Sequence, residues 1–234
     1  MNIVIPMAGA GSRFAQAGYK EPKPFIPLNG QTMIEKVIEN IAVPGAKFFL
    51  LTRIEHMSYL PNTSLCDRSD VAFIPIEKMT EGAACTVLRA EGFIDNDEPL
   101  IIANSDQFVD YDRHRWQEFI KQVDAGIMTF PANEPRWSYS LEENGRVIRV
   151  AEKQVISDKA TVGLYYFAKG RFFVKAAHEM ILKNIRVNNE FYVCPTFNEL
   201  VGHITVRNFD VRKMYGLGTP EDFTKNAELI AKCA

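Results

Sequence analysis

The chain has 234 residues, a formal net charge of −2 at pH 7, 47% apolar residues and 24% charged residues. This balance is typical of a globular protein with a full core, and it argues against nucleic acid or an anionic membrane as the main partner. No apolar run approaches the roughly 20 residues of a transmembrane helix, and no basic segment precedes the short apolar run at the N-terminus. We therefore expect a cytoplasmic protein without a signal peptide.

The predicted elements of the first half alternate between strand and helix. Thr32 and Glu35 form a capping box that begins a helix, and further helices are expected after residues 80–84 and near 116–123. Apolar runs without polar alternation predict strands covered on both faces, as in a parallel sheet; they span residues 2–8, 47–52, 71–76 and 99–103. This order predicts an α/β fold.

The second half contains more predicted strands. Asn144-Gly145 predicts a two-residue hairpin turn, and Thr219-Pro220 predicts the start of the last helix. The other predicted elements are strands at 161–167 and 204–206 and helices at 171–184 and 191–201. With no repeat or linker in view, we predict one domain over residues 1–234, in which residues 1–130 form the first half and residues 131–234 the second.

The four cysteines are widely spaced and form no Cys-x-x-Cys pair. We predict reduced, buried thiols. They are Cys66, Cys85, Cys194 and Cys233.

The most informative stretch is the glycine-rich loop after the first strand. Gly9 and Gly11 let main-chain N–H groups approach an anion, and Arg13 and Lys23 add positive charge. Phe14 stands where a dinucleotide-binding loop needs a third glycine, and the Gly-Lys-Ser/Thr of a triphosphatase loop is absent. The pattern predicts a phosphate cradle; the alternative is a tight turn with a surface lysine.

The stretch MAGAGSRF…EPKPFIPLNGQTMIEKVIENI resembles the sugar-phosphate nucleotidyltransferases, and is similar to small cytidylyl- and thymidylyltransferases. The resemblance implies a three-layer, Rossmann-like α/β fold with a central mixed, mostly parallel sheet and a small β-rich subregion on the acceptor side. It also implies that residues 1–130 bind the nucleotide and residues 131–234 bind the acceptor.

On the nucleotide side, the resemblance assigns charge stabilisation of the phosphates to Arg13 and Lys23. It implies nucleotide contacts by Ala8, Gly9, Gly11, Glu81, Gly82 and Ala83. Ala83 stands where the family usually has threonine, which leaves the choice of base open. The alternative for residues 81–84 is a small-residue helix start that packs closely on a strand.

Asp106 follows a predicted interior strand, where ligands of open α/β sheets bind. The resemblance implies that Asp106 binds Mg²⁺, although Ser105 replaces the family's usual glycine; the alternative is a turn cap. The family's second metal aspartate corresponds to Gly216 here. Either another residue such as Asp210 supplies this ligand, or the site uses mainly Asp106.

On the acceptor side, Glu152-Lys153 precedes a strand with Gly163 in a Gly-x-Tyr pattern. The resemblance implies that Glu152 accepts hydrogen bonds from acceptor hydroxyls, that Lys153 pairs with the acceptor phosphate, and that Gly163 shapes the pocket. Glu190 is a further acceptor-binding candidate. The alternatives are a solvated charge pair for Glu152-Lys153 and a helix N-terminal carboxylate for Glu190.

The implied activity is transfer of a nucleoside monophosphate, with a pyrimidine base preferred, to a phosphorylated small molecule such as a sugar 1-phosphate. Pyrophosphate leaves, and the product is an activated precursor of surface polysaccharide. The charge and the apolar runs predict no nucleic-acid or membrane partner, and the sequence is compatible with a homo-oligomer. One alternative is a glycosyltransferase of related architecture, although residues 105–108 lack an Asp-x-Asp motif. Another is a non-catalytic nucleotide-binding subunit, because of Gly216.

Overall fold

The computed structural model describes residues 1–232 of the chain. Over this range the strands are β1 Asn2–Pro6, β2 Pro27–Leu28, β3 Gln31–Thr32, β4 Lys47–Arg53, β5 Val71–Ile76, β6 Leu100–Ala103, β7 Gln107–Asp110, β8 Ala125–Pro131, β9 Ser138–Glu143, β10 Arg146–Glu152, β11 Lys159–Phe167, β12 Val206–Asp210 and β13 Lys213–Gly216. The α-helices are α1 Ser12–Gln16, α2 Met33–Ile41, α3 Ala83–Val87, α4 Glu91–Ile94, α5 Arg113–Ile120, α6 Gly170–Leu182 and α7 Pro220–Ala231.

Nine of the strands in residues 1–232 form one central sheet, in which β10-β9-β11-β6-β1-β4-β5 are neighbours and β8 joins β11 to β12. β1, β4, β5 and β6 pair in parallel, whereas β11 pairs antiparallel with β6, β8 and β9. Following these pairings, only β10 and β11 run against the other strands of this sheet. The predicted mixed, mostly parallel sheet is confirmed. Two small antiparallel sheets, β13-β7 and β2-β3, accompany it.

Apolar side chains cover both faces of the central sheet. In β1, Ile3 and Ile5 pack on one face with α2, while Val4 packs on the other with α6. All three residues are fully buried, which explains why these strands have continuous apolar runs. A third, smaller cluster joins α1 and α7 beside the sheet. The predicted α/β fold with helices on both faces of the sheet is confirmed.

Local signals place several element boundaries correctly. Thr32 caps α2 and forms the predicted capping box with Glu35. Asn144 and Gly145 both have positive φ values, 50° and 72°, as a type I′ turn between β9 and β10 requires. Thr219 caps α7. These predictions are confirmed.

Two predictions are wrong. Residues 191–201 do not form one helix; only Cys194–Glu199 form a 3₁₀-helix, with Pro195 in its first turn, because a proline cannot supply the N–H group that a longer helix needs. The cysteines are not uniformly buried. Cys194 is buried, but Cys85 is half-buried and Cys66 is exposed; Cys233 lies outside the described residues. Between residues 1 and 232, none of the helices combines the length and the apolar character that crossing a membrane requires.

Candidate active site

A cavity of about 570 Å³, hereafter the large cavity, lies where the ends of several strands meet. This volume is within the roughly 300–1,000 Å³ of small-molecule sites. Residues from both halves of the chain line it: Arg13, Lys23, Ala83, Asn104, Asp106, Gln107, Arg136, Trp137, Ser138, Glu152, Lys153, Thr161, Gly163, Tyr165, Tyr192, Val193, Cys194, Gly216, Gly218, Thr219 and Asp222. Most of the charged residues singled out from the sequence therefore face one space.

A second cavity of about 250 Å³, hereafter the small cavity, adjoins the large one beside the glycine loop. Its lining residues are Pro6, Met7, Gly9, Gly11, Lys23, Pro24, Ala83, Asn104, Ser105, Asp106 and Tyr192. Gly11 adopts the left-handed conformation, with φ +61°, and begins α1. A Cβ at this glycine would lie 3.5 Å from Cβ of Lys23, so the loop and the 3₁₀-turn Lys23–Phe25 are closely packed.

Asp106 and Lys23 form the central ion pair of the site. Lys23 Nζ donates a hydrogen bond of 2.6 Å to Asp106 Oδ2, and both side chains are about one-fifth exposed. The carbonyl of Asp106 accepts from Leu217 N at 2.8 Å. A Cβ on Gly218 would come within 2.9 Å of Asp106 Oδ2. A glycine at this position therefore leaves room for the carboxylate.

A second carboxylate approaches the same glycine-containing turn. Asp222, in the first turn of α7, lines the large cavity, and its Oδ2 lies 4.0 Å from the position of a Cβ on Gly216. Arg136 Nη1 donates to this oxygen at 3.2 Å. The sequence indicated no site role for Asp222, whereas the structure places this residue in the lining of the large cavity.

Asp210, the candidate that the sequence offered for a second metal ligand, lies away from Asp106 and is paired with other residues. Both oxygens of Asp210 accept from Lys159 Nζ, at 2.8 and 2.7 Å, and Thr129 Oγ1 donates at 2.7 Å. Asp210 is not among the residues that line either cavity. β12 pairs with β8 and carries this residue to another part of the sheet.

Polar groups from the second half of the chain line one side of the large cavity. Glu152 accepts a short hydrogen bond from Ser138 Oγ. The pKa of Glu152 is raised above its ordinary value, mainly by burial and to a smaller extent by the nearby charge of Glu190. The hydrogen bond from Ser138 and the positive charge of Lys153 lower this pKa, but they do not cancel the effect of burial. Tyr165 is buried, and its hydroxyl shares a 3.0 Å hydrogen bond with Thr161 Oγ1. These groups can bind hydroxyls of a polar ligand.

Lys153 lies on the same side of the cavity. Its backbone is left-handed, with φ +54°, and its amide donates to Trp137 O at 3.0 Å. Its Nζ donates to the hydroxyl of Tyr192 at 2.5 Å and lies 4.6 Å from the centre of that ring. Tyr192 lines both cavities.

Gly163 is packed against the residues around Asp106. It has φ +78°, and a Cβ here would lie 2.2 Å from Asn104 Nδ2 and 2.5 Å from Gln107 Oε1. Its carbonyl accepts from Asn104 N at 2.9 Å. The absence of a side chain at Gly163 lets both carboxamides face the large cavity on either side of Asp106.

Four predicted site residues do not line either cavity; they are Ala8, Glu81, Gly82 and Glu190. Ala8 is buried in the core, and the exposed Glu81 forms an ion pair of 2.5 Å with Arg186. Glu190 is exposed and ends a tight turn that Val187 begins. Its interpretation as a helix N-terminal carboxylate is therefore wrong. Their roles in binding stay predictions.

The sequence reasoning missed several cavity residues that tertiary contacts bring in. Asn104 and Gln107 flank Asp106, so their position could have indicated a role. Arg136 and Trp137 come from the loop between β8 and β9, where Arg136 lies 4.4 Å from the Trp137 ring centre. No sequence pattern indicated that loop.

A family model described as nucleotidyl transferase matches residues 3–225 of the chain. Among curated proteins, the chain is 25% identical over 211 residues to the 2-aminoethylphosphonate cytidylyltransferase of Lancefieldella rimae. That match covers 80% of this chain and 79% of the cytidylyltransferase. It is 26% identical over 228 residues to the bifunctional protein GlmU of Thermotoga maritima. That match covers 94% of this chain and 49% of GlmU, so the chain spans about half the length of this relative.

A solved structure has the same fold. The nucleoside-diphosphate-sugar pyrophosphorylase from Vibrio cholerae superposes with a TM-score of 0.82 at 24% sequence identity. The match covers 97% of this chain and 99% of the other chain.

Proposed function

The chain belongs to the nucleotidyl transferase family and is a nucleotidyltransferase, and we propose that it transfers a pyrimidine nucleoside monophosphate from its triphosphate to a sugar 1-phosphate. The observation that carries this proposal is the composition of the large cavity. Arg13, Lys23 and Asp106 face it from the first half, and Glu152 and Lys153 face it from the second. One half supplies groups for a triphosphate, and the other supplies groups for a phosphorylated acceptor.

The reaction needs little covalent assistance from the protein. An oxygen of the acceptor phosphate attacks the α-phosphorus, a new P–O bond forms, and the bond to the leaving pyrophosphate breaks. Positioning and neutralisation of charge dominate such transfers. Arg13 and Lys23 would stabilise charge on the transferred and leaving phosphates, and Lys153 would orient the attacking phosphate.

The donor groups around Asp106 fit a magnesium ion. Mg²⁺ prefers one or two carboxylates together with phosphate oxygens. Asp106 and Asp222 lie beside the turn 216–218, where Gly218 leaves room for the Asp106 carboxylate. No group of three or more acidic, histidine or cysteine side chains suited to a metal occurs within residues 1–232. Asp106 and Asp222 would hold the ion, which when bound neutralises charge on phosphate oxygens.

Two further observations support the proposed acceptor and the proposed base. Glu152, Ser138, Thr161 and Tyr165 offer several hydrogen-bonding groups, which suits a polyhydroxylated sugar better than a short aliphatic phosphate. The cytidylyltransferase relative supports a pyrimidine base. The activated sugar would serve a glycosyl-transfer reaction that builds surface polysaccharide.

The test is pyrophosphate release in the presence of Mg²⁺ from each pair in a panel. The triphosphates are CTP, UTP, dTTP, ATP and GTP, and the acceptors are several sugar 1-phosphates and 2-aminoethylphosphonate. We expect release with a pyrimidine triphosphate and a sugar 1-phosphate. Release with the phosphonate alone would correct the acceptor, and absence of release with every pair would contradict the proposed function. A nucleoside diphosphate formed from a nucleotide sugar would instead indicate glycosyl transfer.

A further inference from the structure

We propose that Tyr192 is a positioning residue that holds the Lys153 ammonium at the boundary between the two cavities, ready to bind the acceptor phosphate. The proposal rests on the acceptor role proposed above for Lys153. One contact carries it: the 2.5 Å hydrogen bond that Lys153 Nζ donates to the Tyr192 hydroxyl. Tyr192 also lines both cavities.

Lys153 needs such support because its side chain is long and flexible. A free lysine side chain samples many rotamers, and this conformational entropy is lost when a binding site orders the side chain. The backbone of Lys153 is already held, in a left-handed conformation, by the hydrogen bond to Trp137 O. Only the ammonium end remains to be fixed. Tyr192 fixes it by a charge-assisted hydrogen bond.

Tyr192 is itself held by the neighbouring residue. The amide of Phe191 donates to Glu81 O at 2.8 Å, and its carbonyl accepts from Ala84 N at 2.9 Å. The ring of Phe191 is buried. Gly82 makes this close approach possible, because a Cβ there would lie 2.5 Å from Phe191 N.

This arrangement gives the two substrates a common support. Residues 81–84 are the segment predicted to contact the base and ribose, and Phe191 joins this segment directly to Tyr192. Tyr192 in turn holds the group that faces the acceptor phosphate. Through Tyr192 and Phe191, the position of Lys153 therefore depends on the hydrogen bonds that Phe191 makes with Glu81 and Ala84 in the nucleotide half of the chain.

The first test is calorimetric binding of methyl phosphate, a probe that has a phosphomonoester and little else. Saturating pyrophosphate fills the glycine loop, so that the probe reports on the acceptor side. Tyr192→Phe keeps the ring and removes the hydroxyl, and we expect it to weaken binding roughly tenfold, because a hydrogen bond to a charged group is lost. Lys153→Ala should weaken binding at least as much, and Tyr192→Phe should have no further effect in that background.

Tyr111→Phe is the matched control, because the Tyr111 hydroxyl donates to Asn40 O outside both cavities. It should bind methyl phosphate as the unmodified enzyme does. Unchanged affinity in Tyr192→Phe, or additive losses in the double variant, would overturn the proposal. So would an unmodified enzyme that does not bind methyl phosphate.

The second test uses the substrate pair that the pyrophosphate assay identifies. Tyr192→Phe should raise KM for the acceptor about tenfold and leave KM for the triphosphate unchanged, whereas a general structural defect would affect both. An unchanged acceptor KM would overturn the positioning role. The two proposals fail separately: pyrophosphate release tests the transfer reaction, and methyl phosphate binding is measured without it.

Discussion

The ammonium of Lys23 lies 2.6 Å from the carboxylate of Asp106, although 83 residues separate them in the chain. Lys23 belongs to a 3₁₀-turn that packs against the glycine loop, and Asp106 follows β6, which pairs with β1 in parallel. The carboxyl ends of adjacent parallel strands lie at the same edge of the sheet. The pair therefore joins the proposed phosphate-binding lysine to the proposed metal-binding aspartate.

This pair leads to the first prediction. Lys23→Ala and Asp106→Asn should each lower the rate of pyrophosphate release roughly hundredfold or more, because the first removes a positive charge proposed to face the phosphates and the second removes a proposed metal ligand. Lys20→Ala is the control, because Lys20 is exposed and does not line either cavity. Full activity in Lys23→Ala and Asp106→Asn would contradict their assigned roles.

The second prediction concerns Asp222 as the partner of Asp106. Asp222→Asn should weaken Mn²⁺ binding, measured by electron paramagnetic resonance, roughly tenfold to hundredfold, since ligand loss leaves one carboxylate. Gly216→Asp in the Asp222→Asn background should restore part of the affinity. A side chain fits at residue 216, where the nearest atoms to a Cβ are at 3.8 Å.

The neighbouring Glu221 gives the control for this experiment. It is exposed in the same first turn of α7 and does not line the large cavity. Glu221→Gln should therefore bind Mn²⁺ as the unmodified enzyme does. Equal affinities in Asp222→Asn and Glu221→Gln would show that Asp222 is not a ligand.

The third prediction compares alanine variants of Gly163 and Gly145, because both glycines have positive φ values but only Gly163 is closely packed. Gly163→Ala should lower stability by more than about 1 kcal/mol and reduce activity, because its Cβ would overlap Asn104 and Gln107. Gly145→Ala also places a side chain at positive φ, but no atom lies within 4 Å of its Cβ. Chemical denaturation and pyrophosphate release should show the larger loss in Gly163→Ala; equal losses would contradict the packing role.

The fourth prediction concerns pH and Glu152, whose pKa is raised mainly by burial. Between the unfolded pKa of about 4.3 and the higher folded pKa, the folded state holds a proton that the unfolded state has lost. This contribution to stability therefore falls as pH rises through that window. Glu152→Gln should remove the loss, so the variant should be more stable above the window while acceptor binding weakens.

Denaturation of the two proteins across pH measures this difference. The gap in unfolding free energy between Glu152→Gln and the unmodified enzyme should grow as pH rises from about 4.3 and then level off. Glu143→Gln, in the exposed hairpin, is the control. A gap that is constant with pH would contradict the raised pKa.

Much of the fold was predictable because its signals are local. The capping box at Thr32, the Asn144-Gly145 turn and the apolar runs of β1, β4 and β6 each depend on residues close together in the chain. The helix predicted at 191–201 failed because Pro195 and contacts with residues 81–84 decide that segment. Hydrophobic periodicity does not contain such contacts.

The candidate site was predictable only in part. Arg13, Lys23, Asp106, Glu152 and Lys153 all line the large cavity, as their motifs indicated. The roles of these residues remain predictions that the assays above test.

The sequence by itself determined the class of fold, the glycine loop and the charged residues that motifs identify, because strand burial, helix caps and turns depend on short-range chemistry. Only the tertiary structure placed Asp222 in the same cavity lining as Asp106 and brought Tyr192 to Lys153. It also showed that a Cβ at Gly163 or Gly82 would overlap neighbouring atoms. These relationships join residues that are far apart in the chain. They arise from strand order and close packing, which no local pattern contains.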